Sequence, residues 1–501
     1  MATKMRIVSD RAVDASSDVS GDRGRRVETQ SDLDAGDLAL RASVSAAVLL
    51  PELWSSHCHK CFATGVRLSR CGRCNTAFYC KSAVDNRTHF FHWVFVLIDC
   101  CVGSKACQQA DWVPDHRKEC KSLAQLAQLG LRSDQVADVL LLGRVLRRES
   151  GEGLLPSELV WYEEDMDDQE LLLLAALAQK INLVDGKENE EEEGMWLLAT
   201  VSYVGVVAAE SFSMDEMVRM LSRFRNNNFS ICDELLLELG AGCFPLGAMI
   251  NHSCDPNCAV TFVPKTLDME FRAMRPIKSG EEITQTYVDI GLPRRERQQR
   301  LQRKYHFTCR CPRCSRPLQE PGSLDAFLDA DIDGVPQEQW TDERRQEVEQ
   351  VLKEVSDATS AVASETDLAK QQQQCIDALQ KLAEQQSIIL HHDSIARLQT
   401  LATLFSAEME RGSVEEAIGY GERMLEFYRR VYNSNHPMTG LHLFTLGDLY
   451  GQQAQAGTGA EESKQKSLEY LTEAQRILRI THGKGHRFVK MLSDRLEKVS
   501  A

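Results

Sequence analysis

Eleven of the chain's cysteines fall into two tight clusters, and clustered thiols restrict a fold more than any other feature of this sequence. The first cluster reads Cys58-x2-Cys61, Cys71-x2-Cys74, Cys80, Cys107, His116 and Cys120. The second is Cys309-x-Cys311-x2-Cys314, with Cys254 upstream in Asn251-His252-Ser253-Cys254. Residues 1–20 contain no apolar signal region. The longest apolar run, Phe90 to Ile98, is broken by His92 and falls short of the roughly 20 residues a spanning helix needs. These features point away from a membrane and toward the cytoplasm and nucleus, where disulfides are rare. Zinc then accounts for the clusters. A Cys-x2-Cys knuckle sets two thiolates about 2.3 Å from one ion, and a site closed by four protein ligands is structural. The first cluster holds eight ligands, enough for two ions. The trio Cys309, Cys311 and Cys314 lacks one thiolate, and Cys254 supplies it. The competing reading of Asn251-His252-Ser253-Cys254, a Cys–His nucleophile, would leave that trio open.

A chain of 501 residues is expected to form two to four domains. Its formal charge is 58 − 74 = −16, which argues against a nucleic-acid partner. One stretch runs the other way. Arg294, Arg295, Arg297, Arg300, Arg303 and Lys304 stand against Glu296 alone, and read as a solvated helix face, with contact to phosphate or acidic protein as the alternative. Residues 123–224 are mostly helical in pattern, strongest over Gln169 to Ile181, with a solvated acidic loop from Lys187 to Glu193. Residues from Thr341 onward are helical too. They repeat at an offset of 50, pairing Ile418 with Leu468, Tyr420 with Tyr470 and His436 with His486, with Gly451 to Lys464 as linker.

Between these helical regions lie short strand signals. An amphipathic segment, Met214 to Phe224, leads into Asn226-Asn227-Asn228-Phe229-Ser230-Ile231. Ala259 to Val263 and Leu267 to Met274 read as a hairpin around Pro264-Lys265-Thr266. Gly280-Glu281-Glu282-Ile283-Thr284 then leads to Tyr287.

Asn251-His252-Ser253-Cys254, Gly280-Glu281-Glu282-Ile283-Thr284, Tyr287 and the cysteine-rich tail, in this order, resemble a SET domain. Phe78-Tyr79-Cys80, Gln108, Trp112 and the closing His116-Arg117-Lys118-Glu119-Cys120 resemble a MYND finger. Together they are similar to the SET and MYND domain-containing protein lysine methyltransferases. The resemblance implies an α+β multidomain fold. Residues 1–56 would be the N-terminal half of the SET domain, 57–120 the MYND finger, and 121–222 a helical insert. Residues 223–290 would be the SET core, 291–316 the post-SET zinc region, and 317–501 a helical tetratricopeptide-like domain. It implies interleaved ligand sets: Cys58, Cys61, Cys80 and Cys107 for one zinc, Cys71, Cys74, His116 and Cys120 for the second. The family spaces the middle ligands Cys-x3-Cys. Here Cys80 and Cys107 lie 27 apart, and residues 81–103 form an extra stretch of 23. A retained in-frame intron and a tolerated surface insertion both account for it.

The resemblance further implies S-adenosylmethionine as cofactor, with Gly24, Arg25, Asn227, Asn251, His252, Tyr287 and Phe307 around it. It implies Tyr287 as the residue that orients the amine, and Tyr305 as a wall of the substrate channel. The family's first loop usually reads Gly-x-Gly, and here Arg26 occupies the second glycine position. A weak or inactive adaptor is therefore the alternative to a protein-lysine methyltransferase acting on histone or other proteins. As partners the resemblance implies a proline-containing peptide at the finger and a chaperone or peptide tail at the helical C-terminal domain.

Overall fold

The computed structural model describes residues 5–9, 25–81, 105–121, 123–126, 130–148, 156–159, 214–318, 320, 323–362, 368–457 and 460–500. Gly24, the insertion from residue 82 onward, the helix expected over Gln169 to Ile181 and the acidic loop all lie outside these residues. The chain divides into two compact units. One comprises residues 1–28, 38–250 and 260–271; the other comprises 29–37, 251–259 and 272–501.

The first unit contains small sheets and the finger. Strands β1 (Met5–Ser9) and β2 (Arg25–Thr29) pair with each other. Strand β4 (Ala46–Leu49) pairs antiparallel with β8 (Glu238–Cys243), which pairs on its other side with β7 (Asn228–Cys232). The expected hairpin forms as β10 (Cys258–Phe262) and β11 (Met269–Ala273), and β3 (Leu38–Ala42) completes a sheet in the order β10–β11–β3. Helix α3 (Met214–Asn227) runs directly into β7, burying Met217, Met220, Leu221 and Phe224 at helical spacing.

In the finger, β5 (Leu68–Arg70) and β6 (Phe78–Cys80) form a two-stranded hairpin. The short helix α1 (Ala106–Asp111) continues through a π-turn, Trp112–His116, that delivers His116. The following helix, α2 (Ser133–Leu146), buries Val136, Val139, Leu140, Leu142 and Val145. A buried ionic network joins it to the finger: Arg144 forks onto both carboxylate oxygens of Glu119, at 3.1 and 2.8 Å, while Arg147 also reaches Glu119 and Arg148 reaches Asp115.

The second unit opens with the parallel pair β9 (Asn251–His252) and β12 (Thr284–Gln285). Asn257 locks this pair. Its buried side chain accepts the Thr284 N–H at 2.8 Å and donates to the Glu282 carbonyl at 2.8 Å. Helix α4 (Arg294–Tyr305) starts after Pro293 and stops at His306, whose φ of 57° turns the chain left-handed.

From Asp342 on, the described residues are mostly helical: α5 (Asp342–Val362), α6 (Leu368–Ile389), α7 (Ile395–Arg411), α8 (Val414–Val431), α9 (Pro437–Gln455), α10 (Ala460–Thr481) and α11 (Arg487–Ser500). Gly412, at φ 78°, ends α7 and lets the Ser413 N–H return to the Glu408 carbonyl at 2.9 Å. The expected repeat is a repeat of shape. His436 and His486 each sit just before the second helix of a pair. Each accepts, through Nδ1, the N–H two residues on, that of Met438 or Phe488, at 3.3 Å.

Candidate active site and metal centres

The sulfur positions decide between disulfide and metal. A tetrahedral zinc with 2.3 Å bonds sets its ligand sulfurs about 3.8 Å apart, whereas a disulfide needs about 2.05 Å. Cys61 and Cys80 are 3.5 Å apart, and Cys107 and Cys61 3.8 Å. Cys71 and Cys120 are 3.8 Å apart, and Cys74 lies 3.6 Å from Nε2 of His116. Cys314 lies 3.5 Å from Cys254. In each of three groups, Cys58/Cys61/Cys80/Cys107, Cys71/Cys74/His116/Cys120 and Cys254/Cys309/Cys311/Cys314, the ligand atoms lie within 4.8 Å of one another. This donor chemistry and spacing fit zinc, in the interleaved pairing expected. Because Cys254 is one of four clustered sulfurs, the Cys–His nucleophile reading falls.

The third cluster has a buried scaffold that corrects the solvated reading of the basic helix at Arg297, while Arg295, Arg300, Arg303 and Lys304 are exposed as expected. Leu301 and Arg297 face inward, and Arg297 is fully buried. Its guanidinium forks onto both oxygens of Asp325 at 2.8 Å and donates to the Leu292 carbonyl at 2.5 Å. It also points at two cluster sulfurs, Cys254 at 3.2 Å and Cys314 at 3.6 Å. Arg313 and Arg294 reach the same Asp325 at 2.8 and 3.3 Å. Burial alone would raise the Asp325 pKa. The hydrogen bonds from Arg297 and the charge on Arg313 outweigh it and hold the carboxyl below its usual range. Sequence reasoning missed Arg297 because an arginine among arginines gives no sign of which one turns inward. The helical spacing from Arg297 to Leu301 was the available signal.

Beside this cluster the expected site residues come together. His252 and Tyr287 lie 5.4 Å apart by ring centroid, Tyr287 and Tyr305 4.7 Å, and His252 and Phe307 6.1 Å. All four are half-buried. Burial lowers the His252 pKa to about 4, so the ring is neutral at pH 7. Its Nδ1 accepts the Tyr287 backbone N–H at 3.0 Å, which leaves the ring proton on Nε2, facing the Cys254 sulfur at 3.2 Å. One histidine thus orients the tyrosine segment and supports a metal ligand. Asn251 donates from Nδ2 to Glu282 at 2.9 Å.

The remaining site residues belong to the first unit. Arg25, at the start of β2, donates to the Glu158 carbonyl at 3.0 Å. Arg26 reaches Glu28, two residues along the same strand face, at 2.8 Å. Asn227, at the end of α3, is buried and donates to the Arg223 carbonyl at 2.8 Å. Its neighbour Asn228, in a run of three asparagines whose register the sequence leaves open by one residue, carries buried Oδ1 and Nδ2 atoms with no partner among the described residues. An amide left so is where a ligand's polar atoms gain most. A cleft of about 360 Å³ opens on the finger, lined by Cys71, Arg73, Gln108, Trp112 and Val113 among others. Val113 is 71% exposed, and the Arg73 guanidinium lies 5.3 Å over the Trp112 ring.

The family model for the SET domain matches residues 164–288, so the chain is a SET-domain protein. It is 27% identical to the Histone-lysine N-methyltransferase ASHR1 of Arabidopsis thaliana, over 100% of this chain and 98% of that one. It is 26% identical to the Histone-lysine N-methyltransferase SMYD3 of Homo sapiens, over 96% of each. It is 23% identical to the N-lysine methyltransferase SMYD2 of Bos taurus, over 95% of this chain and 96% of that one. With the interleaved cysteine clusters ahead of the SET motifs, the chain is similar along almost its whole length to these lysine methyltransferases.

Proposed function

We propose that the protein is an S-adenosylmethionine-dependent protein-lysine N-methyltransferase, acting on histone or other proteins, with zinc at its three clusters. The observation that carries the reading is the aromatic group of Tyr287, Tyr305, Phe307 and His252, held against a metal cluster with Asn251 alongside. S-adenosylmethionine, when bound, supplies a methyl group on a positively charged sulfur. The flat face of Phe307 suits its adenine, and the carboxamide of Asn251 suits its polar atoms.

What this chain's residues must do is present a neutral amine in line. Tyr287 and Tyr305 wall the lysine's path and exclude water, which lowers an ammonium pKa toward the reactive form. The Tyr287 hydroxyl accepts a hydrogen bond from the amine and aims its lone pair. The amine proton leaves to solvent before attack. Positioning supplies most of the rate enhancement in such a reaction.

Arg26 is the feature that favoured an inactive adaptor. Its side chain is tied to Glu28 along β2 at 2.8 Å. The finger cleft beside Trp112 suits a proline-containing peptide, and the helical pairs after residue 394 suit a tetratricopeptide-like groove for a chaperone or peptide tail. Incubation with methyl-labelled cofactor, followed by mass spectrometry of histone and cytosolic protein mixtures, tests the main reading. Absence of any methyl-lysine product, with cofactor binding intact, would leave the adaptor reading in its place.

A further inference from the structure

The charge on helix α4 is unevenly spent. Arg294 and Arg297 are drawn to Asp325, and Arg295 reaches Gln337 at 2.7 Å. Arg300, Arg303 and Lys304 follow at helical spacing on the outer face, all exposed. The helix holds one carboxylate, Glu296, which meets Arg300 at 3.7 Å. Arg303 and Lys304 have no carboxylate partner among the described residues.

Lys304 instead lays its ammonium over the Tyr305 ring at 5.2 Å, and Tyr305 lies 4.7 Å from Tyr287. Those two contacts place the Lys304 charge no more than about 10 Å from the Tyr287 ring, roughly three residues of extended peptide. Past His306 the chain is pinned back along the helix. Gln298 exchanges two 2.8 Å hydrogen bonds with the Cys309 backbone, and exposed Arg310 follows on this segment. Cations in a last turn stabilise a helix through its dipole, but Arg310 is outside the helix and gains nothing from it.

We infer that Arg303, Lys304 and Arg310 form a cationic rim that selects protein substrates with acidic side chains within about three residues of the target lysine. The inference rests on the proposed lysine methylation at the Tyr287 site. An acidic peptide segment is favoured over nucleic acid because the rim adjoins the aromatic walls that would receive an amine.

The test uses three nonapeptides with one central lysine, flanked on both sides by Glu, by Ser or by Arg. Exposed ion pairs are each worth roughly 1.4- to 5-fold, so kcat/KM should favour the Glu peptide over the Arg peptide by about tenfold. The preference should shrink toward unity as salt rises from 50 to 500 mM. In Arg303→Glu/Lys304→Glu the preference should reverse. Arg303→Glu/Arg310→Glu, which leaves the Lys304–Tyr305 contact in place, should abolish it. Methylation that continues with an unchanged Glu-to-Arg ratio in both variants overturns the rim while leaving the enzyme reading intact. So does equal use of the three peptides by the wild type alongside rim-dependent binding of a mixed-sequence DNA duplex. If no peptide is methylated, the enzyme reading fails. Fluorescence anisotropy with the same three peptides then decides the rim, supporting it by a Glu preference and overturning it by none.

Discussion

Replacing Arg297 with Met should loosen the third metal cluster while leaving the helix itself in place. The arginine and Asp325 are both fully buried, and their 2.8 Å fork ties the helix to the segment after Cys314. Removing one partner of a buried pair costs about 3–5 kcal/mol when the other charge is stranded. Here Asp325 keeps Arg313 at 2.8 Å and Arg294 at 3.3 Å. That places the carboxylate's share near the lower limit, about 3 kcal/mol. The Leu292 carbonyl also loses its donor, worth about 1 kcal/mol. Two sulfurs lose a positive charge at 3.2 and 3.6 Å, so zinc should leave more readily. The assay is urea unfolding followed with a zinc-binding dye, which reports metal release separately from the helical signal. The midpoint of the zinc-release step should drop by an amount equivalent to about 3–4 kcal/mol. Arg297→Met combined with Asp325→Asn should cost much less than the two singles added. A single-variant loss under about 1 kcal/mol, or full additivity, refutes the buried-pair argument.

Tyr287→Phe should keep cofactor binding by calorimetry but lower kcat by about a hundredfold, because the amine loses its orienting oxygen. Metal analysis should find one zinc for each of the three clusters. Strong chelation should unfold the finger rather than merely silence it, seen as loss of near-ultraviolet dichroism. Gly447→Ala should cost about 1–3 kcal/mol, read by thermal melting, since its Cβ would stand 2.7 Å from Leu471 Cγ and 3.1 Å from that residue's backbone nitrogen. Burial lowers both His436 and His442 to about 4, with the His442 Nε2 held at 2.7 Å from the Gly421 carbonyl. Their folded values lie below the unfolded value near 6.5, so the unfolded chain binds more protons between those limits. Stability is then full above pH 6.5 and falls, as pH drops toward 4, by up to about 1.4 kcal/mol per pH unit for each histidine. The variant His436→Asn/His442→Gln should flatten that slope in urea titrations at stepped pH.

Much of the site was legible because cysteine and glycine spacings carry geometry. Cys-x2-Cys fixes ligand distances whatever surrounds it, and all twelve expected ligands meet in three groups. The repeat at an offset of 50 was readable because His436 and His486 perform the same capping task. The supporting polar residues were not legible. Asp325 and Asn257 act through partners distant in sequence, and nothing local separates a buried Asp from a loop Asp. Asn257 stood inside the motif Asn251 to Cys258 without a role until its side chain was seen bridging to residues 282 and 284. The hairpin around Pro264 was placed nearly to the residue, because alternating apolar positions and a turn proline are local signals.

The placement of Tyr305 and Phe307 has a genetic consequence. Tyr305 ends the arginine-anchored helix, Phe307 lies on the short span from there to Cys309, and His252, whose ring lies 6.1 Å from that of Phe307, is two residues from Cys254. Damage to any one of the four sulfurs therefore frees Tyr305, Phe307 and His252 together. Missense alleles at Cys254, Cys309, Cys311 or Cys314 should behave as complete losses of methylation, with few graded hypomorphs among them. Alleles in the finger, whose sulfurs form separate clusters, should instead separate stability from chemistry.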